Sequence, residues 1–532
     1  MESEKKESKI GLFLNKYFHF YDLGGNMKNE ILAGISMFIV SIFIILFNMQ
    51  LIHDQFYSTE VYPTIYFGLY FGATLVSFIG SIIIGIIAKL PLVQVSGLGM
   101  SSAIISLVGH YNGLSYANIM AISFVSSIIY TLLICVPFVR KKIFESIPNG
   151  VKKALPVLVG LIIGLICLKN GNLINSSTGL NVFKLSEYLK TEMYGTIYII
   201  TLIAIIISYG MFSRNKNGNP MFLSLLIGLG IYFVSIACYG LLNISSLQLR
   251  GFLIVVTDDN SFGFVEGVKT LGTILNGNES NTIPSLLANM WSFSKCDKNV
   301  VLIFIEGIIT FLSVGLFGSY GVSKDIQDNL NIEEKEVQGN IVTKFKNRQP
   351  NTELALLTIG VSNIVTPFLG CMPTDLSISN TIGKKDNAKT SLASIVSGLC
   401  FLLSMFTMAI IALFATDLGS SAYGHANEFN LTITGVNSYI IYIVGFIGSL
   451  SLVSSIKNCD FKNKKEYIPL LVTSVVGLFT MNIALGMGMG CLVYLFMMFL
   501  DKNENKKDNL PTLIGSSVFG IIGILLFVIT IM

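Results

Sequence analysis

Charge is what this sequence has least of. Asp, Glu, Lys and Arg together make up 12% of its 532 residues, about half of the roughly 25% usual in soluble globular domains. That scarcity excludes an ordinary water-soluble fold. Histidine is sparse as well. His19, His53, His110 and His425 have no metal-ligand spacing, so no metal site is expected. The eight cysteines (135, 167, 238, 296, 371, 400, 459 and 491) form no CxxC and no paired pattern. Most lie in apolar segments and read as small core residues, which leaves neither a disulfide nor a zinc framework. No Gly-x-x-x-x-Gly-Lys-Ser/Thr stretch occurs, which argues against an ATP-driven pump. No group of His, Cys and acids converges, so the chain does not read as an enzyme and implies no cofactor. Residues 1–28 are polar and charged, unlike a cleaved signal peptide.

Apolar residues fill the space that charge leaves. They make up 52% of the chain, and the mean hydropathy is +0.70. Runs of about 20 apolar residues, enough to cross a bilayer, recur from end to end. They are continuous, whereas barrel strands would alternate over about 10 residues. The fold class expected is therefore an all-α polytopic membrane protein.

Two of these runs are broken. Gly97-Leu98-Gly99-Met100-Ser101-Ser102 opens a segment that stops at Gly109-His110. A second interruption runs from Gly370-Cys371-Met372-Pro373-Thr374-Asp375 to Gly383. Non-helical backbone is tolerated within a membrane only against protein or a cavity. Two broken segments at matching places in two halves point to a transporter's binding site.

Charge placement supports counting each broken segment as one crossing. With a cytoplasmic N-terminus, 28 of the 35 Lys and Arg fall on the cytoplasmic side and 7 outside, as the positive-inside rule requires. The expected organisation is a cytoplasmic segment 1–28, a first seven-element repeat 29–242, and an external loop 243–298. A second seven-element repeat follows at 299–500, and 501–532 holds a cytoplasmic loop with a further hydrophobic span, 510–531. Seven is odd, so the second set enters the membrane upside down relative to the first. Each broken segment is the third of its set, making them elements 3 and 10 of about 14.

Few residues in these spans can carry chemistry. A half-helix beginning near Gly97 offers free N–H groups and partial positive charge to a small polar solute. Gly97 and Gly99 permit close approach, and Ser101 and Ser102 lie in the first turn. Ser379 and Asn380 are their counterparts in the second half. Glu306 is the one acid deep in an uninterrupted apolar span, Val301 to Thr310. An acid there costs at least ~2.5–3.5 kcal/mol on insertion scales and usually faces a cavity. It is the candidate for binding substrate and for proton coupling. Asp375 suits a cap for a half-helix starting near Leu376, or an ion contact. Asn48 fits a bond across helices or an interfacial place.

Several ordered segments resemble the AzgA-type hypoxanthine/guanine permeases, a branch of the nucleobase–cation symporters. Glu30-Ile31-Leu32-Ala33-Gly34-Ile35 leading to Phe47-Asn48 is similar to their first helix, and Gly97-Leu98-Gly99-Met100 to their Gly-Met-Gly-Leu. Arg140-Lys141-Lys142-Ile143, Ile147-Pro148, Gly160 to Leu165 and Leu168-Lys169-Asn170 resemble their fourth-to-fifth helix region. Asn482-Ile483-Ala484 with Gly486 resembles a segment near their C-terminus. The resemblance implies a core domain and a gate domain, with a short strand before each half-helix. It also implies proton-driven purine uptake, the base lying between the half-helices and the eighth helix. Three positions depart from the family. Ser101 replaces an Asn, Ile309 stands where an acid precedes Thr310, and Ser379-Asn380 replaces Glu-Ser. Glu306 lies one turn from 309 on nearly the same face, so it can take over the acid's work, and Ile309 stays in the candidate binding set.

The leading expectation is a multi-pass transporter of the cytoplasmic membrane that couples uptake of a purine-like base to H⁺ by alternating access. A different solute on the same scaffold (another nucleobase or a small anion) is the nearest rival. A non-transporting membrane receptor is the rival from another class. The partners implied are the base, H⁺ and the lipid bilayer, with a homodimer left open and no nucleic acid.

Overall fold

The computed structural model describes residues 25–56, 65–111, 113–170, 193–212, 300–320, 352–376, 379–406, 436–500 and 510–531, with parts of 223–234, 287–294 and 322–326. Most of the N-terminal segment, of the span 221–242, of the loop 243–298 and of 407–435 lies outside the described residues. The described chain is helical apart from one two-stranded pairing. Seven of its helices are long and apolar enough to cross a membrane.

In the first half, α1 is Met27–Phe56 and α2 is Ile65–Ile83, extended by a π turn, Ile84–Ala88. The strand β1 (Gln94–Val95) leads into α3 (Leu98–His110). Then come α4 (Tyr116–Cys135), α5 (Pro137–Ser146), α6 (Asn149–Asn170) and α7 (Met193–Phe212). In the second half, α8 is Val300–Ser313 with a π turn, Val314–Gly318, and α9 is Thr352–Val365 with a 3-10 turn, Thr366–Leu369. The strand β2 (Asp375–Leu376) precedes α10 (Ser379–Lys385). The chain continues through α11 (Leu392–Phe406), α12 (Val436–Val453), α13 (Lys464–Thr480), α14 (Ile483–Leu500) and α15 (Leu510–Ile531).

The packing has the exchange expected of an inverted repeat. Helix α2 packs on α11, and its counterpart α9 packs on α4. Helix α1 packs on α11, and its counterpart α8 packs on α4. These helices with α3 and α10 form the core domain. Helices α6, α12, α13 and α14 pack on one another as the gate domain, with α15 against α14 and α5. Core meets gate where α1 touches α12, α3 touches α6, and α8 touches α14.

Short strands form because each interruption has lost its helical partners. Val95 faces Asp375 and Gln94 faces Leu376 in an antiparallel pair. Side chains take up the remaining backbone groups. Asn380 accepts from the Val93 N–H at 2.6 Å and donates to the Val93 carbonyl at 2.9 Å. Asn363 does the same for Thr374, at 2.6 and 2.7 Å. Ser96 donates to the Met372 carbonyl at 2.9 Å, and the Leu376 N–H donates to Ser319 at 3.2 Å. Every buried polar backbone group needs such a partner, and these bonds fix the register of the two interruptions.

Single residues set several element boundaries. Helix α4 ends at Cys135, inside an apolar run that continues to Val139, because Pro137 starts α5. Proline pushes the residue before it out of helical geometry, and Val136 is extended at φ −96°. The Arg140-Lys141-Lys142 run therefore sits on a separate short helix. The break between α13 and α14 falls at Met481-Asn482. Met481 adopts a left-handed conformation (φ 50°) that closes α13, and Asn482 Oδ1 accepts from the Leu485 N–H at 2.9 Å to open α14. Glu30 accepts from the N–H groups of Lys389 and Thr390, at 2.8 and 3.1 Å. It thereby ties the start of α1 to the segment that enters α11.

Candidate functional site

The structure divides the candidate residues between two places. The first is the N-terminus of α3 and the strand crossing beside it. Asn48 on α1 donates to the Ser96 carbonyl at 2.6 Å, and its Oδ1 accepts from the Ser101 hydroxyl. Ser101 also lies 3.3 Å from the Gly97 carbonyl, and Ser102 donates to the Gly99 carbonyl at 2.7 Å. Both hydroxyls thus serve backbone or α1. Asn48 makes the cross-helix bond that was one of its two expected uses.

Asp375 is not a cap of α10. It lies in β2, while α10 begins at Ser379. Pairing with Val95 turns its side chain toward α3 instead. A Cβ on Gly97 would overlap its Oδ1, and one on Gly99 would stand 2.9 Å from its Oδ2. Both glycines are needed to admit the carboxylate. Val314, in the π turn of α8, also stands against Gly99. Ser379 is buried in the first turn of α10. Asn380 is committed to Val93, as described above.

The second place is centred on Glu306, which is 1% exposed. Its Oε2 accepts from the Tyr111 hydroxyl at 2.5 Å, and its Oε1 accepts from Asn482 Nδ2 at 2.8 Å. Tyr111 follows α3 in the core domain, whereas Asn482 opens α14 in the gate domain. The acid therefore bridges the two domains. Ile309, one turn on, packs against Ala484, Leu485 and Leu526 of the gate.

The two places are separate. Helices α3 and α8 run antiparallel, with Gly99 beside Val314 and Leu107 beside Gly307. Eight residues divide Glu306 from Val314, which is about 12 Å along a helix. The sequence did not show that Glu306 stands near the far end of α3. It also gave no sign of Tyr111, which follows His110 in the short polar stretch after α3, or of Tyr130, a tyrosine within an apolar run. Asn482 was visible only as part of a family-like segment.

Two small cavities flank the crossing. One is lined by residues including Met100, Ser126, Tyr130 and Asn363, the other by Asn48, Ser96 and Met372 among others. Each has a volume of about 10 Å³. Ligand pockets commonly run to roughly 300–1,000 Å³, so neither of these two cavities holds a base as it stands. Among the described residues no group of three or more His, Cys, Asp or Glu could hold a metal.

Comparison with known proteins fits this arrangement. The guanine/hypoxanthine permease PbuO of Bacillus subtilis is 21% identical, over 90% of this chain and 93% of its own. The adenine permease AdeQ of Escherichia coli is 23% identical, over 91% and 90%. The chain is a divergent relative of the purine permeases. The resemblance read from the sequence is thereby borne out. Residues 337–416 match the sulfate permease family model. The solved structure of SLC26A9 shares the fold at a TM-score of 0.50 and 11% identity, over 93% of this chain and 70% of that one. The chain is thus a multi-pass membrane transporter built of a core and a gate domain.

Proposed function

We propose that the protein takes up a neutral purine-like base across the cytoplasmic membrane together with H⁺, with its N-terminus in the cytoplasm. The observation that carries this reading is the Glu306 bridge. An acid in the membrane interior holds a core hydroxyl and a gate amide at once. As a carboxylate it accepts from both. Once protonated it has one O–H to donate, which the Tyr111 hydroxyl can accept and the Asn482 amide N–H cannot. The neutral acid also loses the charge that strengthens both bonds, so proton arrival loosens the core–gate contact and proton loss restores it. With the N-terminus inside, α8 starts on the outer face and Glu306 closes the outer half of the path.

The base would lie at the α3 N-terminus, between the half-helices and α8, near Gly99, Ser101, Ser102, Ser379 and Val314. The relatives named for guanine, hypoxanthine and adenine support a purine-like solute. Alternating access would move the core against the gate around that place. Binding is tested by thermal stabilisation of the purified protein with hypoxanthine, guanine and adenine. A base at 100 times its Kd adds about 2.7 kcal/mol, and no shift with any base would sink the reading. Proteoliposomes then test coupling. Glu306→Gln is expected to retain base exchange and to lose accumulation driven by a proton gradient. Full gradient-driven uptake by this variant would remove Glu306 from the proton path.

A further inference from the structure

A carboxyl group already stands at the N-terminus of α3. Its cap residue, Gly97, has no side chain to accept from the first turn. A helix start leaves four N–H groups unbonded and carries about half a positive charge, which makes it a natural seat for sulfate, phosphate or a carboxylate. Here Asp375 reaches across from β2 into that seat. Both of its oxygens stand against Gly97, and Oδ2 also faces Gly99. Asp375 is 7% exposed, and its buried Oδ1 has no hydrogen-bond partner among the described residues. The carboxylate is therefore aimed into the helix start without being consumed by a neighbouring side chain.

We infer that Asp375 is a selectivity residue: it fills the anion position of the half-helix, so the site rejects anionic solutes and admits neutral ones. The fold itself would otherwise favour an anion here, because the same half-helix start without Asp375 presents its partial positive charge with no carboxyl group beside it. A second negative group would meet Asp375 at contact distance in a buried place, where like charges repel far more strongly than in water. A neutral solute meets no such penalty, and the open oxygen can accept one of its N–H groups. The inference rests on the solute site proposed at the α3 N-terminus, but its test does not depend on the solute being a purine.

The experiment is a sulfate titration of the purified full-length protein at constant ionic strength, read by thermal stability and by direct binding of labelled sulfate. Wild type, Asp375→Ala and Asp375→Asn are compared, with base binding measured in parallel. Wild type is expected to ignore sulfate, and both variants to bind it at least roughly tenfold more tightly than wild type. Sulfate binding by the wild type, or a folded variant that gains none, overturns the inference. If neither variant folds, the wild-type titration alone decides. Failure of every base to bind, with sulfate gained on losing Asp375, overturns the purine reading and leaves this inference standing. Base binding by the wild type with no sulfate gained does the reverse.

Discussion

Asn380 shows how a side chain that looks like a ligand can be structural. Its amide satisfies both backbone groups of Val93, a residue with no exposure. Replacing it with Ala would leave a buried N–H and a buried carbonyl without partners, at about 1–3 kcal/mol each. Asn380→Ala is expected to lower the melting temperature clearly and to leave any base affinity of the folded fraction unchanged. Ligand-binding assays on material purified as a monodisperse fraction would check both halves. A loss of affinity at normal stability would return Asn380 to the solute contacts. At this scale the sequence told which residues were out of place in a membrane, since Asn, Ser and Asp stand out among Leu and Ile. It could not tell whether each would face backbone, helix or solute. That depends on which atoms lie opposite, and those come from 40 to 300 positions away in the chain.

Close packing of elements is set largely by glycine. A Cβ on Gly488 of α14 would overlap the backbone of Gly523 on α15, and one on Gly34 of α1 would stand 2.8 Å from the Ala393 carbonyl on α11. Small residues let membrane helices approach to backbone contact, which supplies the van der Waals attraction that a hydrophobic effect cannot provide between helices in lipid. Gly488→Val is expected to push α15 away, at about 1–3 kcal/mol. Limited proteolysis within 501–509 would report it as faster release of the C-terminal helix. An unchanged cleavage rate would mean that α15 is held by α5 instead. The boundaries at Pro137 and Met481-Asn482 belong to this scale too. Proline marked the first for any reader of the sequence, but the second turns on one left-handed residue that no propensity singles out.

For the whole molecule, the question is what holds core and gate together in this conformation. The Glu306 bridge links Tyr111 and Asn482, and Ile309 packs beside it on the gate. Tyr111→Phe removes the core's donor while keeping volume and leaves the Asn482 cap of α14 in place, so core and gate should separate more often. Hydrogen exchange is expected to quicken at 300–313 and 483–490, with little change at the strand crossing. Equal exchange in variant and wild type would show that the bridge does not hold the two domains together.

Hydrophobic run length, scarcity of charge and placement of Lys and Arg determined, from the sequence alone, that this chain crosses a membrane many times in two inverted sets. Those properties are local: they follow from the transfer of each segment into lipid and need no knowledge of neighbours. The two broken segments were local as well, because Gly, Ser and Pro interrupt a helix wherever they stand. Only the tertiary structure decided that the breaks meet as paired strands, that Asp375 turns toward α3 instead of capping α10, and that Glu306 stands about 12 Å along α8 from Val314. Each of these is fixed by contact between segments distant in sequence, where burial forces every polar group to find a partner and a single strand register chooses which one it finds.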